Sequence, residues 1–289
     1  MYEDEKELFL KIHGYPLNLD NPKSFNEKIV HKKIFDRNPL IPLTADKYRA
    51  RQYIRDKIGF EADNHLIPLL YVTDNPEKIP PNKLTGEYII KPNNAAGRWI
   101  LAEGINGLKN YDINYTHEKA LNLSNSEIIN ICKDWFKTVH GIEWYEWAYG
   151  QIKPLIVIEK LLREKGGGLP SDYRFCMFDG KCQMIYVTSH GLATFNYYDR
   201  DWNSLNIVRE GHRVAPFIEK PKYLSKMIEF AEKLSKGFDF VRIDFYLVDG
   251  YIYFGEITHY PGSGHAKFPK EFDFELGKYW NVNRDYYNV

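Results

Sequence analysis

The chain has 289 residues, 44% of them hydrophobic and 16% aromatic, a globular composition with ample material for a core. Lys plus Arg and Asp plus Glu both number 39, and this zero net charge argues against a dedicated nucleic-acid binder with its usual basic excess. The length suits one large domain, or two to three small lobes around a shared cleft.

The acidic start MYEDEKELFLKIHG lacks an apolar stretch, so no signal peptide is expected, and no run approaches the ~18 apolar residues of a membrane span. Residues 3–13 and 22–36 are expected to be short helices, the second opened by a capping box of Ser24 and Glu27. A stronger helix is expected over 44–59, capped by Thr44 or Asp46 and stopped at Gly59. HLIPLLYVTD and GEYIIKPN read as strands bounded by Pro and Gly. From about 117 to 150 the pattern is helical and rich in Trp and Tyr, and KPLIVIEKLL (153–162) is a buried strand entering a connector. DYRFCMFDGKCQMIYVTS is a hairpin around Asp179-Gly180, a helix runs over roughly 220–237, and FVRIDFYLVDGYIYFGEITHYPGSG is a second hairpin. Hairpins with helices between them indicate α+β lobes rather than a doubly wound parallel sheet.

Cys132, Cys176 and Cys182 are odd in number and lack metal-binding spacing, so they read as reduced thiols of a cytoplasmic protein. A two-residue loop at Asp179-Gly180 would pair 177 with 182 and 176 with 183, turning the two hairpin thiols to opposite faces.

Asp244 and Glu256 each interrupt an apolar strand, where a buried carboxylate is costly unless paired or metal-bound. A two-residue loop at Asp249-Gly250 would pair 244 with 255 and send Glu256 to the other face. A three-residue loop would bring both carboxylates to one face, close enough to bind one hard divalent cation. Arg242, two residues before Asp244, projects from the same face, either for phosphate chemistry or for an ordinary salt bridge. Glu159, Lys160 and Leu162 sit where a strand edge flanked by leucines could pair with an adenine, or simply cross between lobes. Lys91 ends a strand before PNNAAG, as a solvated gatekeeper or as a cation beside a phosphate loop. Lys47 opens the basic helix, where a solvated helix face is the default.

In their order, ADKYRARQYI, YIIKPNNAAG, IVIEKLL, SDYRFCMFDGK, VRIDFY and GEITHYPGSG resemble the ATP-grasp superfamily, and more closely its TupA-like branch, found in bacterial surface-polysaccharide and teichuronopeptide gene clusters. The resemblance runs from about residue 16 to about 275. It implies an ATP-grasp fold of two α+β lobes gripping ATP, with a helical segment (1–62) replacing the usual pre-domain, a small lobe (63–157) and a large lobe (158–289). It implies that Lys47 and Lys91 contact ATP phosphates, and that Glu159, Lys160 and Leu162 form the adenine hinge. By the same likeness Asp172 or Arg174 contacts ribose or phosphate, Asp244 and Glu256 hold Mg²⁺ (Mn²⁺ as a substitute), and Arg242 stabilises the acyl phosphate. Thr258 stands where the superfamily commonly has an Asn ligand, and KPNNAAG has alanines where the branch tends to read His-Gly-Ser-Gly.

The implied activity is ATP-dependent ligation of a carboxylate to an amine or amino acid, the carboxylate being that of a uronic acid in a surface polysaccharide or its precursor. An ATP-dependent sugar kinase and a glycosyltransferase are the alternatives. DWFKTVHGIEWYEWAYG and TFNYYDRDWN could stack on sugar rings or belong to the core. His212, His259 and His265 show no triad spacing and read as surface or supporting residues.

Overall fold

The fold is described from a computed structural model over residues 1–80, 83–103, 107–110, 121–189, 194–214, 217–282 and 284–287. The N-terminal region is helical: α1 (Glu3–His13), α2 (Phe25–Phe35), α3 (Leu40–Ala45) and α4 (Ala50–Ile58). The Ser24/Glu27 capping box opens α2. The single helix expected over 44–59 is instead two, α3 and α4. The Asp46 carboxylate accepts from the Tyr48 and Arg49 N–H groups (2.9 and 3.1 Å) and turns the chain between them. Thr44 is no cap, because its hydroxyl bonds Leu40 O (2.7 Å) and the His259 ring (2.8 Å). Lys47 therefore lies in a turn between two helices.

The first sheet contains β1 (Leu69–Thr73), β2 (Tyr88–Pro92), β3 (Ile100–Glu103), β4 (Gly107–Asn110), β5 (Leu121–Asn122) and β6 (Ile156–Lys160) in the order β1-β6-β2-β3-β4-β5. Helix α5 (Asn125–Lys137) buries Ile128 and Cys132 against Tyr88, Ile90, Ile156 and Ile158 of this sheet. The helix expected over 117–150 is shorter than that. Residues 117–120 lie outside the described residues, 121–122 are strand, and only two 3₁₀ turns follow α5 before β6.

The second sheet contains β7 (Asp172–Phe178), β8 (Lys181–Ser189), β9 (Thr194–Tyr198), β10 (Phe240–Val248) and β11 (Tyr251–Thr258) in the order β11-β10-β7-β8-β9, with α6 (Leu224–Ser235) packed on it. All its pairings are antiparallel. Both Asp-Gly turns take positive φ at both positions: 46° and 78° at Asp179-Gly180, 51° and 84° at Asp249-Gly250. These are the values of two-residue hairpin loops. Met177 pairs with Cys182 as the loop requires, but a bulge then shifts the ladder, so Cys176 faces Met184 rather than residue 183. The three cysteines are free and buried.

Helix α7 (Lys270–Lys278) and the following segment close the fold over α2. A buried ionic cluster fixes this closure. Lys32 of α2 pairs with Asp36 and with Asp239 (2.7 Å), and Asp239 also accepts from Trp280 Nε1 (3.0 Å) and the Tyr287 hydroxyl (2.8 Å). Lys32→Met would leave two buried carboxylates without their cation, a loss of about 3–5 kcal/mol. Urea unfolding of the variant should show that drop in stability, and an unchanged midpoint would contradict the role given to the cluster.

Candidate active site

The question of the Asp249-Gly250 loop has a third answer. The loop has two residues, and Val248 pairs with Tyr251 through to Phe245 with Phe254. Between Phe245 and Ile243 the register then shifts by one, so that Ile243 meets Ile257 and Arg242 meets Thr258. The extra residue lies at Gly255–Glu256, opposite Asp244. A Cβ on Gly255 would come within 3.2 Å of the Asp244 carbonyl oxygen, so the bulge is built at a glycine. The bulge returns Glu256 to the face of Asp244.

On that face oxygens converge on one point. Arg242 Nη2 donates to Asp244 Oδ2 (2.6 Å), Glu256 Oε1 (2.7 Å) and Thr258 Oγ1 (3.0 Å), while Nε reaches Asp244 Oδ1 (2.7 Å) and Nη1 reaches the Tyr186 hydroxyl (3.1 Å). The two carboxylates are pushed in opposite directions. Burial raises Asp244 to about 6 against the pull of Arg242 and Arg174. Burial opposes ionisation of Glu256 as well, but Arg242, then Lys47 and Arg174, outweigh it and draw Glu256 down to about 2. Three oxygens around one cation suit a hard divalent ion. Among the described residues no group of three or more His, Cys, Asp and Glu forms a metal cluster, so any such ion would need ligands from a substrate as well.

Ladder register extends the strip. Asp244 faces Arg174, which faces Tyr186, and Tyr246 faces Asp172, which faces Thr188. Asp172 is buried, accepting from Arg174 Nη2 and the Thr188 hydroxyl (both 3.0 Å). It therefore positions Arg174, whose Nε lies 3.5 Å from Asp244 Oδ2.

The first sheet supplies the other residues. Glu159 is buried and takes two cations, Lys91 Nζ on Oε2 (2.6 Å) and Arg51 Nη1 on Oε1 (3.0 Å). The Lys160 side chain is exposed and Leu162 is half-buried. The Lys160 N–H donates to Pro68 O (3.0 Å). In an antiparallel ladder residue 68 would return a hydrogen bond to the Lys160 carbonyl, but proline has no N–H. An acceptor at the strand end is thus left without its ladder donor. Lys47 Nζ donates to Ala95 O (2.6 Å), within the loop after β2. Burial lowers the Lys47 pKa; Glu256 opposes this, Lys91 adds to it and Glu159 opposes it, so Lys47 stands within electrostatic reach of both sheets. The loop is pinned at its base, because Asn93 bonds Leu155 O, Leu155 N–H and Lys153 O. Ala96 and Gly97 are exposed.

The sequence matches the family described as TupA-like ATPgrasp over residues 27–281. The chain belongs to the TupA-like ATP-grasp family. It accordingly has the ATP-grasp fold, and its two antiparallel sheets with interspersed helices are α+β. Among solved structures, a D-alanine–D-alanine ligase from Bacillus anthracis complexed with ATP is 15% identical, with a TM-score of 0.41 over 76% of this chain and 55% of that one. The Helicobacter pylori D-alanine–D-alanine ligase is 15% identical, with a TM-score of 0.43 over 89% and 65%. The ATP-grasp ligase PsnB, complexed with a phosphomimetic variant of its minimal precursor, Mg and ADP, is 13% identical, with a TM-score of 0.40 over 88% and 60%. The chain thus spans between 55% and 65% of the length of these ligases. No curated protein matches it by sequence. Among the described residues, no helix is long and apolar enough to cross a membrane.

Within this family member, some residues near the site carry no sequence signal that singles them out. His140, Glu146 and Tyr149 belong to the aromatic-rich stretch after α5. Elsewhere the aromatics are core: Phe195, Tyr197, Tyr198 and Trp202 are all buried, and Tyr198 stacks on Trp202 at 4.2 Å. His259 is also buried rather than superficial, and burial holds its pKa well below the usual value, so it stays neutral against Thr44. His265, also half-buried, pairs with Glu5 of α1 (2.8 Å), while His212 packs edge-on against Phe195.

Glu146, 8% exposed, is pushed up to about 7 by burial, against the Ser263 hydroxyl and the Lys33 charge. A carboxyl whose pKa rises on folding holds its proton more tightly folded than unfolded, so its contribution to stability falls as pH climbs from the ordinary value to about 7. Glu146→Gln should therefore be more stable than the natural chain at pH 8, by about 3–4 kcal/mol at ~1.4 kcal/mol per unit, and equal to it near pH 4. Melting curves across that range check the sign.

Proposed function

We propose that this protein is an ATP-dependent carboxylate–amine ligase working through an acyl phosphate. The observation that carries the reading is the convergence of Asp244, Glu256 and Thr258 oxygens on a single cation point, with Lys47 linking it electrostatically to Lys91 and Glu159 of the other sheet. ATP would lie between the sheets. Its adenine would take the unreturned Lys160 carbonyl and the backbone at Leu162, with Glu159 holding Lys91 beneath. Its phosphates would run toward Lys91 and Lys47, the latter exchanging Ala95 O for a phosphate oxygen. Arg174, positioned by Asp172, would face the same phosphates.

Asp244, Glu256 and Thr258 would hold Mg²⁺, with Mn²⁺ as a substitute; when bound, the ion neutralises phosphate charge and favours transfer to the carboxylate. Arg242 then turns from the carboxylates to the substrate, where a buried guanidinium stabilises the negative charge that develops on the acyl phosphate and the tetrahedral adduct. The reactive intermediate requires exclusion of water, a role the loop over residues 93–97 would take by closing over the phosphates. Family membership supports extending the reading to an amino acid or amine joined to a uronic acid of a bacterial surface polysaccharide or its precursor, in the cytoplasm.

Purified protein with Mg-ATP should release ADP and phosphate only when a carboxylate and an amine are both present, in a screen of uronic acids against amino acids. Asp244→Asn and Lys91→Met should each lower that release by about 10²-fold or more. A stable phosphorylated sugar formed without an amine would make the enzyme a kinase. Absence of any melting shift with Mg-ADP would remove the nucleotide site altogether.

A further inference from the structure

Arg242 has a side that the paired carboxylates do not use. Its Nε and Nη2 groups donate to Asp244, Glu256 and Thr258, whereas among the described residues Nη1 donates to the Tyr186 hydroxyl alone, at 3.1 Å. A guanidinium has five N–H donors, so each terminal nitrogen carries two hydrogens. One Nη1 hydrogen therefore has no acceptor among the described residues. The Tyr186 oxygen accepts from Arg242 and donates its own hydrogen to none of them. Two unused donors stand side by side, on a nitrogen and an oxygen 3.1 Å apart.

The sheet holds this pair in place. Tyr186 on β8 stands opposite Arg174 on β7, and Arg174 opposite Asp244 on β10, so the three side chains share one face. Tyr197 of β9 continues the row, and its ring stacks on Tyr186 at 5.5 Å. The Arg174 and Arg242 guanidiniums lie 5.6 and 6.0 Å from the Tyr186 ring centre. Tyr186 is only 8% exposed and Arg242 6%, and buried polar groups normally use their hydrogens. Packing alone would be served by a phenylalanine, so the hydroxyl is explained by what it bonds. Burial raises the phenol's pKa against the pull of Arg242 and then Arg174, so it stays a donor at neutral pH. Accepting from a guanidinium also polarises the O–H and strengthens it as a donor.

An anionic oxygen placed at this edge takes one hydrogen from Nη1 and one from Tyr186, and leaves Asp244, Glu256 and Thr258 unoccupied by it. Loss of the Nη2 acceptors would leave the Nη1 contact intact, so Tyr186 fixes the guanidinium through a change of partners. Resting on the ligase reading above, we propose that Tyr186 contacts the substrate, forming with Arg242 Nη1 a two-donor oxyanion site for the reacting carboxyl group. When the amine adds to the acyl phosphate, the nitrogen lone pair forms the C–N bond and the carbonyl π pair moves onto oxygen. That oxygen takes both hydrogen bonds. Its pair returns as the bond from carbon to the phosphate oxygen breaks, phosphate leaves with those electrons, and the nitrogen passes its extra proton to the phosphate. Tyr186 keeps its own proton throughout.

The test compares the natural chain with Tyr186→Phe, which removes the hydroxyl and keeps the ring. Each protein, loaded with Mg-ADP, is titrated calorimetrically with D-glucuronate, D-galacturonate, L-glutamate and acetate, with neutral D-glucose as the control. At least one carboxylate should bind the natural chain in preference to glucose, and Tyr186→Phe should weaken that binding about tenfold or more. Mg-ADP affinity and melting temperature should stay unchanged. Where a carboxylate and an amine turn over, the variant should lower kcat and raise KM for the carboxylate but not for ATP. A tyrosine that only packs would move both KM values together or neither. Carboxylate binding and turnover unaffected in Tyr186→Phe would overturn the oxyanion site, as would an equal loss of Mg-ADP affinity in the variant. So would a natural chain that binds Mg-ADP but none of the four carboxylates. Failure of the natural chain to bind Mg-ADP at all would instead sink the ligase reading, and the oxyanion site with it.

Discussion

Two carboxylates set side by side on a sheet, one buried and one half-buried, repel unless a cation stands between them, and the second sheet is arranged around that constraint. Asp244 and Glu256 are neighbours only because the strand bulges at Gly255, and they are tolerable only because Arg242 reaches both. The guanidinium needs support of its own, so Tyr186 and Thr258 complete its hydrogen bonds. Arg174 stands behind as a second cation, held in turn by Asp172. The register of β7, β8, β10 and β11 brings these charges into one balanced row.

The helical N-terminal segment grips the turn after β11. Lys33 of α2, fully buried, pairs with Glu5 (3.0 Å) and donates to both the carbonyl and the hydroxyl of Ser263 (2.9 and 3.0 Å). Ser263 has φ 55°, unusual for a residue with a side chain, and this double grip holds it there. Gly264 beside it allows a close approach to α2, since a Cβ would meet Val30 at 2.6 Å. The turn after β11 is therefore shaped by helices far from it in sequence. This coupling joins β11 to the N-terminal region.

Much of this was legible in the sequence because it is local. The capping box at Ser24, the Asp-Gly turns, and the apolar runs at 88–90, 156–158 and 240–248 each act over a few residues, and each forms the element expected of it. What could not be read depends on long-range geometry. Whether Glu256 shares a face with Asp244 is decided by a bulge several residues from the turn, so counting loop residues could not settle it. The break at Asp46 arises because a short side chain competes with the helix for backbone N–H groups, and a helical pattern cannot register that competition. The motif residues Lys47, Lys91, Glu159 and Asp244 stood out because charged residues in apolar or small-residue settings are informative; a tyrosine in an aromatic-rich stretch is not.

Two of the buried acids, Glu159 and Asp244, each have more than one cation. Glu159 has Arg51 and Lys91, and Asp244 has Arg174 and Arg242. Removing the sole partner of a buried carboxylate costs several kcal/mol, so a site built on single pairs would resist giving up a cation to a ligand. With two, one can leave. If Lys91 moves to a phosphate, Arg51 still neutralises Glu159; if Arg242 moves to a substrate oxygen, Arg174 remains near Asp244. On the ligase reading proposed above, doubling the cations would let Lys91 and Arg242 serve as structural partners in the free protein and as ligand contacts in the occupied one.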